Sequence, residues 1–377
     1  MLTTLETTIL DLIRASFGNV NSFDIPAEYQ KNVTDIILKN DILQMVYPAL
    51  PKNMKNECQT QYLCALYRTT AQRYEGQLVL NVLAERGFDC IALKGWELCN
   101  LYPKKNMRSM VDLDILVRPY QYDKINEIMV GLGYEGEGEK SWKHDNFRKG
   151  QILIEMHKRL TDDSRAIKTW EQSMWERSIL VNGAHIFKMT PEDFYLFHFL
   201  HLYKDFKNGK LGLRRLVDTW LLCFQQQIDM TSVQQYLKEF EMELFHERIV
   251  HLSKAVMCET EWKNEDEILL RHAMKYGIFG TEASYKAGRI TAMSSGNLHS
   301  GKMHSLLAAL FLPYDRMKAQ FPILKKWPIL LPLYWIKRMR QLIHLGTKRM
   351  LKRLDYKNVT QKEYEEMASF FKAGGVV

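Results

Sequence analysis

Residues 1 to about 86 carry apolar positions at helical spacing. Short apolar clusters lie at residues 36–38 and 43–46, and residues 62–83 repeat apolar side chains every three or four positions. This pattern predicts a mainly helical N-terminal region that braces the part that follows. From about residue 87 to 188 the pattern changes to short apolar runs of strand length between glycine-containing turns, which predicts a sheet.

Three apolar runs in this part have strand character, at residues 88–93, 110–117 and 151–157. The first ends in a tight turn at Lys94 and Gly95, and a helix is predicted from there to Pro103. Residues 125–132 predict a helix between the later strands. The glycine pairs at 131 and 133 and at 136 and 138 predict turns. They do not indicate a nucleotide site, because a lone Gly-x-Gly pattern is weak evidence for nucleotide binding.

From residue 190 to about 310 the pattern predicts consecutive helices. Thr190 is a good N-cap, Pro191 suits the first turn, and Asp193 follows three residues after the cap. From Phe311 onward the chain is rich in aromatic, proline and basic residues. The apolar stretch 327–335 is too short to span a bilayer, so it either packs against the body, which we favour, or contacts a membrane surface.

Two acids interrupt the apolar run 110–117. Side chains alternate along a strand, so Asp112 and Asp114 are expected on one face. Two like charges on a buried face are stable when a cation or a proton lies between them, and carboxylates are the ligands that Mg²⁺ prefers. The pair therefore indicates a metal site for phosphoryl or nucleotidyl chemistry. The alternative is a strand whose wet side carries two acids.

The neighbouring runs add further candidates. Glu155 and His157 share a face of the strand 151–157, which gives three carboxylates on two strands. Gly95 allows the backbone to approach a phosphate at the start of a helix, and Lys94 adds a positive charge.

The ordered set of these motifs resembles the uncharacterised nucleotidyltransferase family of the polymerase-β-like superfamily. It comprises Leu93-Lys94-Gly95, Arg108, the run from Asp112 to Val117, Ile154 to His157, Met189 to Phe194, His198, His201 and Leu213 to Asp218. The resemblance covers roughly residues 35 to 280. It implies an α+β fold, with a small mixed sheet flanked by helices and helical domains packed beside it.

The resemblance also implies a reaction and a site. The reaction is the Mg²⁺-dependent (or Mn²⁺-dependent) transfer of a nucleoside monophosphate from an NTP, such as ATP, to an acceptor hydroxyl that the family does not name. By position, Asp112 and Asp114 match the metal-binding pair, Glu155 matches the third carboxylate, and Gly95 matches the glycine of a Gly-Ser turn. Trp96 stands where that serine or threonine normally stands.

Four parts are expected along the chain: an N-terminal helical region (1–86), the nucleotidyltransferase catalytic core (87–188), a helical domain (189–310) and a basic C-terminal segment (311–377). Under this interpretation Asp112, Asp114 and Glu155 are catalytic and hold the metal, and Glu155 either lowers the pKa of the acceptor hydroxyl or accepts its proton directly. Lys94 and the Gly95 amide hold the β- and γ-phosphates.

Five further residues carry open alternatives. Arg108 either reaches a phosphate or forms a surface ion pair, and His157 either lines the pocket or is a structural histidine. His198, His201 and Lys204 either contact the nucleotide or acceptor from the helical domain or are structural. In addition, the i, i+4 spacing of Arg214 and Asp218 predicts a helix pair that orients His201.

Composition limits the class of protein. The chain has 377 residues, 46% hydrophobic and 25% charged, which is ordinary for a folded protein of two or three domains. No apolar run reaches the roughly 18 residues of a membrane span, and the N-terminus lacks signal-peptide features, so a cytoplasmic protein without a transmembrane segment is expected. The six cysteines show no CxxC spacing and are expected to be reduced thiols, mostly in the core.

The net charge is +8, and much of the excess lies near the C-terminus. The basic residues there are Lys325, Lys326, Lys337, Arg338, Arg340, Lys348, Arg349, Lys352 and Arg353. They either attract nucleic acid, an anionic membrane or an acidic partner, or form a solvated helix face. Two other functions therefore stay open beside the transferase: a catalytically silent nucleotide-binding module, and a nucleic-acid or membrane-surface adaptor.

Overall fold

The computed structural model describes residues 1–18, 22–137, 143–160, 164–258, 260–344, 356 and 358–376. A mixed seven-stranded sheet lies among helices that come before and after it in the chain. The strands are β1 (Cys90–Ala92), β2 (Leu113–Val117), β3 (Glu135–Glu137), β4 (His144–Lys149), β5 (Ile152–His157), β6 (Ile179–Asn182) and β7 (Ile186–Lys188).

Helices make up most of the remaining described chain. The first nine are α1 (Thr4–Phe17), α2 (Ala27–Lys39), α3 (Leu43–Val46), α4 (Lys52–Glu85), α5 (Gly95–Leu98), α6 (Ile125–Gly131), α7 (Arg165–Arg177), α8 (Pro191–Lys207) and α9 (Leu213–Gln225). They are followed by α10 (Met230–Glu239), α11 (Glu243–Met257), α12 (Asn264–Tyr276), α13 (Glu282–Ala292), α14 (Leu298–Leu310), α15 (Tyr314–Gln320), α16 (Leu331–His344) and α17 (Gln361–Ala373). This mixed sheet with flanking helices and a further helical part confirms the α+β fold class.

The strand order across the sheet is β3-β4-β5-β2-β1-β7-β6. The β2–β5 and β1–β7 pairs are parallel and the other pairs are antiparallel. All five residues of β2 are buried, so β2 is an interior strand in both pairing and packing. Because β2 lies between β1 and β5, the turn after β1 and the acids on β2 and β5 come together at one place.

Helix α4 crosses the sheet and fixes its position. Gln72 donates a hydrogen bond to the Leu153 carbonyl at 2.6 Å and accepts one from the Leu153 amide at 3.2 Å, so one side chain serves both polar groups of a β5 residue. Val79, Leu80 and Leu83 are buried in the core of the sheet. The helix is therefore attached to the sheet by both polar and apolar contacts.

The predicted start of α8 is confirmed. The Thr190 hydroxyl accepts a hydrogen bond from the Asp193 amide, and Pro191 is the first helical residue. The Asp193 carboxylate also accepts hydrogen bonds from Trp170 and Arg177, which fixes α7 against the start of α8.

The N-terminal helices pack against helices that come much later in the chain. Arg14 donates hydrogen bonds to the carbonyls of Ala255 and Val256 at the end of α11. The Asn40 side chain accepts a hydrogen bond from the Leu213 amide at 2.8 Å. Ile9, Leu12 and the other buried residues of α1 belong to the same core as α8, α9 and α11.

Two expectations about local structure are wrong, and a third holds only in part. The strand around the first acids begins at Leu113, so Asp112 lies just before it. Gly136 lies in β3 and not in a turn, while Gly138 is outside the described residues. The stretch 327–335 packs only in part, because Trp327, Ile329 and Leu333 are exposed.

Lys348, Arg349, Lys352 and Arg353 lie outside the described part of the chain. None of the helices within the described ranges has the length and apolar composition needed to cross a membrane.

Candidate active site

Three carboxylates lie together where β2 and β5 run side by side. In the parallel register Asp114 is the direct neighbour of Glu155. Side chains of neighbouring residues in register project to the same face of a sheet, and Asp112, two residues before Asp114, lines the same pocket. The structure thus brings together the three acids that the sequence selected.

The turn after β1 lies beside these acids. The Leu93 amide donates to the Asp114 carbonyl at 2.9 Å, which attaches the turn to β2. Lys94 has φ 46° and ψ −113°, a conformation that a residue with a side chain rarely adopts. Its ammonium lies 2.6 Å from the Asp114 carboxylate. The strained backbone is compatible with a functional turn, because such strain concentrates at binding and active sites.

The carboxylates of the pocket differ in pKa. Burial, together with Asp114 and Glu155, raises the pKa of Asp112 to about 6. Burial also raises the pKa of Asp114, but the adjacent Lys94 and His157 outweigh it and hold this pKa well below its ordinary value. Burial lowers the pKa of Lys94, yet Asp114 and Asp112 outweigh it and raise that pKa. At neutral pH the pocket therefore holds a paired carboxylate, Asp114, beside an incompletely compensated one, Asp112.

Two histidines extend the acidic cluster. The antiparallel register of β4 and β5 pairs His144 with His157. His157 Nε2 lies 2.8 Å from Asp114 Oδ1 and 3.5 Å from Glu155 Oε2, and His144 Nε2 lies 4.0 Å from Glu155 Oε2. His144, Glu155 and His157 each offer one ligand atom, and these three atoms lie within 4.8 Å of one another, which is close enough for a shared metal ion. The imidazoles therefore supply nitrogen ligands next to the carboxylate oxygens.

Arg108 forms a buried ion pair and not a surface one. Its Nε and Nη2 atoms donate to the two oxygens of Asp218 at 2.8 and 2.9 Å, and Asp218 is fully buried. The Tyr102 hydroxyl donates to the same carboxylate at 2.8 Å. A Cβ placed on Gly95 would lie 2.6 Å from Arg108 Nη1, so the guanidinium packs directly against the glycine of the turn. The surface alternative for Arg108 is therefore wrong.

The expected pair between Arg214 and Asp218 does not form. Arg214 instead contacts Asp41, two residues after α2, and the hydroxyl of Ser109. Asp218 is fully engaged with Arg108 because a bidentate guanidinium satisfies both of its oxygens. His201 is not oriented by this pair, since its Nδ1 lies 3.3 Å from Asp205 on the same helix.

Helices α8 and α9 form the wall of the pocket opposite the sheet. His201 and Lys204 line it, together with Asp205, Lys210, Arg214 and Arg215. Burial, helped by the nearby Lys94, holds the pKa of His201 well below its ordinary value, so this imidazole is neutral. His198 points elsewhere and is a structural residue, with Nε2 2.8 Å from the buried Thr219 hydroxyl. The wall therefore offers cations and a neutral imidazole to a ligand.

Trp96 does not enter this pocket. Its ring packs against α4, where a Cβ on Gly76 would lie 3.1 Å from it and where the Arg73 guanidinium stacks 5.5 Å from its centre. The bulky residue that replaces the usual serine or threonine is thus directed into the core of the sheet. It removes a hydroxyl from the turn without filling the pocket.

Several residues that line the pocket were not predicted from the sequence. Lys143 and His144 come from the segment before β5, Asp205 and Arg215 come from α8 and α9, and Lys210 lies in the connection between these two helices. A signal existed for His144. The β4–β5 hairpin turns at Gly150 and Gln151, and counting back from that two-residue loop pairs His144 with His157.

Comparisons with known proteins give one family match. A family model described as "Uncharacterised nucleotidyltransferase" matches residues 34–257. No curated protein matches the chain. Among solved structures, the chain is similar to the antibiotic-resistance factor ANT(2'')-Ia, known from a solution structure, at 13% sequence identity and a TM-score of 0.35 over 46% of this chain and 92% of that one. Since the family match spans more than half of the sequence, the protein belongs to the uncharacterised nucleotidyltransferase family.

Proposed function

We propose that this transferase moves a nucleoside monophosphate from an NTP to a hydroxyl acceptor, with Mg²⁺ or Mn²⁺ held by Asp112, Asp114 and Glu155. The observation that carries the proposal is the meeting of these three carboxylates at the floor of a pocket whose other wall is cationic. An anionic substrate and a divalent cation together complement this arrangement of charges.

The carboxylates fit a hard divalent cation. They offer oxygen ligands from β2, from the residue before it and from β5, and the raised pKa of Asp112, about 6, reflects burial and the neighbouring carboxylates, whose charge a cation would relieve. When bound, Mg²⁺ or Mn²⁺ neutralises the triphosphate and favours in-line attack on its α-phosphorus. Mn²⁺ suits the same carboxylate oxygens as Mg²⁺, and the imidazoles of His144 and His157 lie beside Glu155.

The triphosphate is held by the turn and by the helical wall. The Gly95 amide is at the start of α5, directly after Lys94 in the chain, and the Arg108 guanidinium packs against Gly95. Lys94 is paired with Asp114 in this structure, so phosphate binding by Lys94 requires its ammonium to exchange partners. Lys204 on the wall supplies a further positive charge. Arg108 is fixed by Asp218 and supports the glycine backbone from behind.

Glu155 receives the proton of the acceptor hydroxyl. Its carboxylate, at the floor of the pocket, is partly exposed and lies 3.5 Å from His157 Nε2. His201 stays neutral and faces the same space, where it can accept or donate a hydrogen bond to the nucleotide or acceptor. The acceptor therefore enters between the sheet and α8.

The test is a transfer assay with each α-³²P-labelled NTP against a cell extract, with Mg²⁺, with Mn²⁺ and with EDTA. Wild type is compared with the double variant Asp112→Asn, Asp114→Asn. As a matched control, Asp123→Asn and Glu127→Gln neutralise two acids on the same part of the chain that lie outside the pocket lining. We expect label to reach a discrete acceptor only with metal and intact pocket acids.

Two outcomes would contradict the proposal. Metal-dependent NTP binding without any labelled product would favour a silent nucleotide-binding module. Transfer that persists in the double variant would remove the pocket acids from the reaction. For the expected result, circular dichroism and urea unfolding must show that the double variant keeps its fold, because its loss of activity is informative only then.

A further inference from the structure

The segment between Pro322 and His344 presents large apolar side chains to solvent. Ile329 is 84% exposed, and Trp327 and Leu333 are each 61% exposed. The opposite side of this segment is packed: Trp335 donates a hydrogen bond to the Leu312 carbonyl at 2.9 Å, and the Arg338 guanidinium bonds to the Ala309 carbonyl at 3.0 Å. The segment is therefore seated on α14 by one side and leaves an apolar side unpartnered among the described residues.

Basic side chains lie among these exposed apolar ones. Between Arg316 and His344 the sequence has seven lysines and arginines and no aspartate or glutamate. Lys325 and Lys326 are exposed immediately before Trp327, and Lys337 and Arg340 are exposed on α16. We name the outward side of residues 323–340 the C-terminal surface. Its charge is of one sign, so its partner must be anionic.

Helical spacing aligns the two kinds of side chain on α16. Leu333, Ile336, Lys337 and Arg340 follow one another at i, i+3, i+4 and i+7, which places them on one face. Leu333 and Ile336 are 61% and 45% exposed on that face. The face therefore combines aliphatic groups with cations and is not a purely solvated basic face.

The aliphatic content distinguishes a lipid partner from a nucleic acid. Nucleic-acid surfaces reward cations and stacked rings, but they offer little to isoleucine and leucine side chains. A bilayer surface accepts aliphatic side chains at the boundary of headgroups and acyl chains, suits tryptophan at the interface, and attracts lysine and arginine when its lipids are anionic.

We propose that the C-terminal surface docks the protein on an anionic phospholipid membrane. Trp327, Ile329 and Leu333 enter the headgroup region, while Lys325, Lys326, Lys337 and Arg340 pair with lipid phosphates. None of these residues lines the nucleotidyltransferase pocket, so membrane docking does not depend on the transfer reaction. It would hold the pocket near acceptors that are themselves at a membrane.

The test is sedimentation of the full chain with vesicles of phosphatidylcholine alone and of phosphatidylcholine with phosphatidylglycerol, at low and high salt. We expect binding only to the vesicles with phosphatidylglycerol, and weaker binding in high salt. Each cation near an anionic surface contributes about fivefold to partitioning, so Lys325→Gln with Lys326→Gln should lower binding roughly thirtyfold. The matched control is Lys31→Gln with Lys52→Gln, both exposed elsewhere.

The apolar contribution needs its own variant. Trp327→Ser, Ile329→Ser and Leu333→Ser together should abolish vesicle binding and leave the fold intact, because all three side chains are exposed. The control triple, Leu63→Ser, Val130→Ser and Phe224→Ser, changes residues that are 52%, 57% and 48% exposed on other surfaces and should bind as wild type does.

Three results would overturn the proposal. The first is equal binding to both kinds of vesicle, or to neither. The second is binding to a single-stranded RNA 20-mer that the C-terminal variants lose while vesicles are ignored, which would make the surface a nucleic-acid site. The third is a concentration-dependent dimer in sedimentation velocity that the serine triple dissociates, which would assign the surface to a second copy of the chain.

Discussion

Replacing Asp218 by asparagine tests the buried ion pair behind the turn. Asp218 is fully buried, Arg108 is 4% exposed, and the two are joined by two hydrogen bonds. Asparagine keeps the shape but removes the charge, which leaves the guanidinium buried without a counter-ion. Breaking one side of such a pair costs about 3–5 kcal/mol, so we expect the free energy of unfolding to fall by that amount. The assay is urea unfolding followed by circular dichroism.

A double variant and a surface control sharpen this measurement. Arg108→Met with Asp218→Leu leaves no unpaired charge and should recover most of the loss, apart from about 1–3 kcal/mol for the Tyr102 hydroxyl, whose acceptor is gone. Glu366→Gln breaks the exposed pair with Lys275 and should cost less than about 1 kcal/mol.

The reasoning is refuted if Asp218→Asn unfolds within about 1 kcal/mol of wild type. It is also refuted if the double variant is less stable than Asp218→Asn alone, because then the loss would come from packing and not from the unpaired guanidinium. Restored stability with a persistently raised KM for NTP would show that Arg108 supports the Gly95 backbone as well as the fold.

Three further predictions follow from the pocket and its surroundings. The pKa of Asp112 is raised from 3.8 to about 6, so its ionisation opposes folding, and in EDTA the stability should fall as pH rises from 3.8 to about 6 and level off above that. Asp112→Asn should add roughly 2–3 kcal/mol at pH 7 in urea unfolding, and no gain would contradict the raised pKa. Lys204→Met should weaken NTP binding by roughly tenfold or more in calorimetry, whereas Lys207→Met, on the same helix but outside the pocket lining, should not. Gly277→Ala should lower the free energy of unfolding by more than about 2 kcal/mol, because φ is +68° and the new Cβ meets the carbonyl that ends α2. Gly150→Ala, with φ +59° and open space around the new Cβ, should lower it by less. Equal losses in the two variants would leave backbone strain, and not the close contact, as the cause.

The sequence was sufficient where the signal was local. Alternation along a strand placed Glu155 and His157 on one face, and the cap at Thr190 marked the start of α8. The resemblance of ordered motifs then identified the family and its α+β fold. These signals were enough to predict that the acids and the turn lie close together, because each strand involved is defined by only a few consecutive residues.

Long-range polar partners could not be predicted in the same way. Asp218 was assigned to Arg214 by helical spacing, but it pairs with Arg108, 110 residues earlier in the chain. A buried bidentate partner outweighs an i, i+4 contact, which is worth only about 0.2–0.5 kcal/mol. Arg214 pairs with Asp41 across a still larger separation. No periodicity in the sequence encodes these pairings.

The packing of the first helices has a consequence for how the chain is made. Arg14 and Asn40 are bonded to residues beyond position 212, and the apolar side of α1 is buried with α8, α9 and α11. During synthesis, residues near the N-terminus leave the ribosome long before these partners exist. Ile9 and Leu12 therefore lack part of their packing partners until some 250 residues have been added, which leaves part of their apolar surface open to chaperones on the nascent chain.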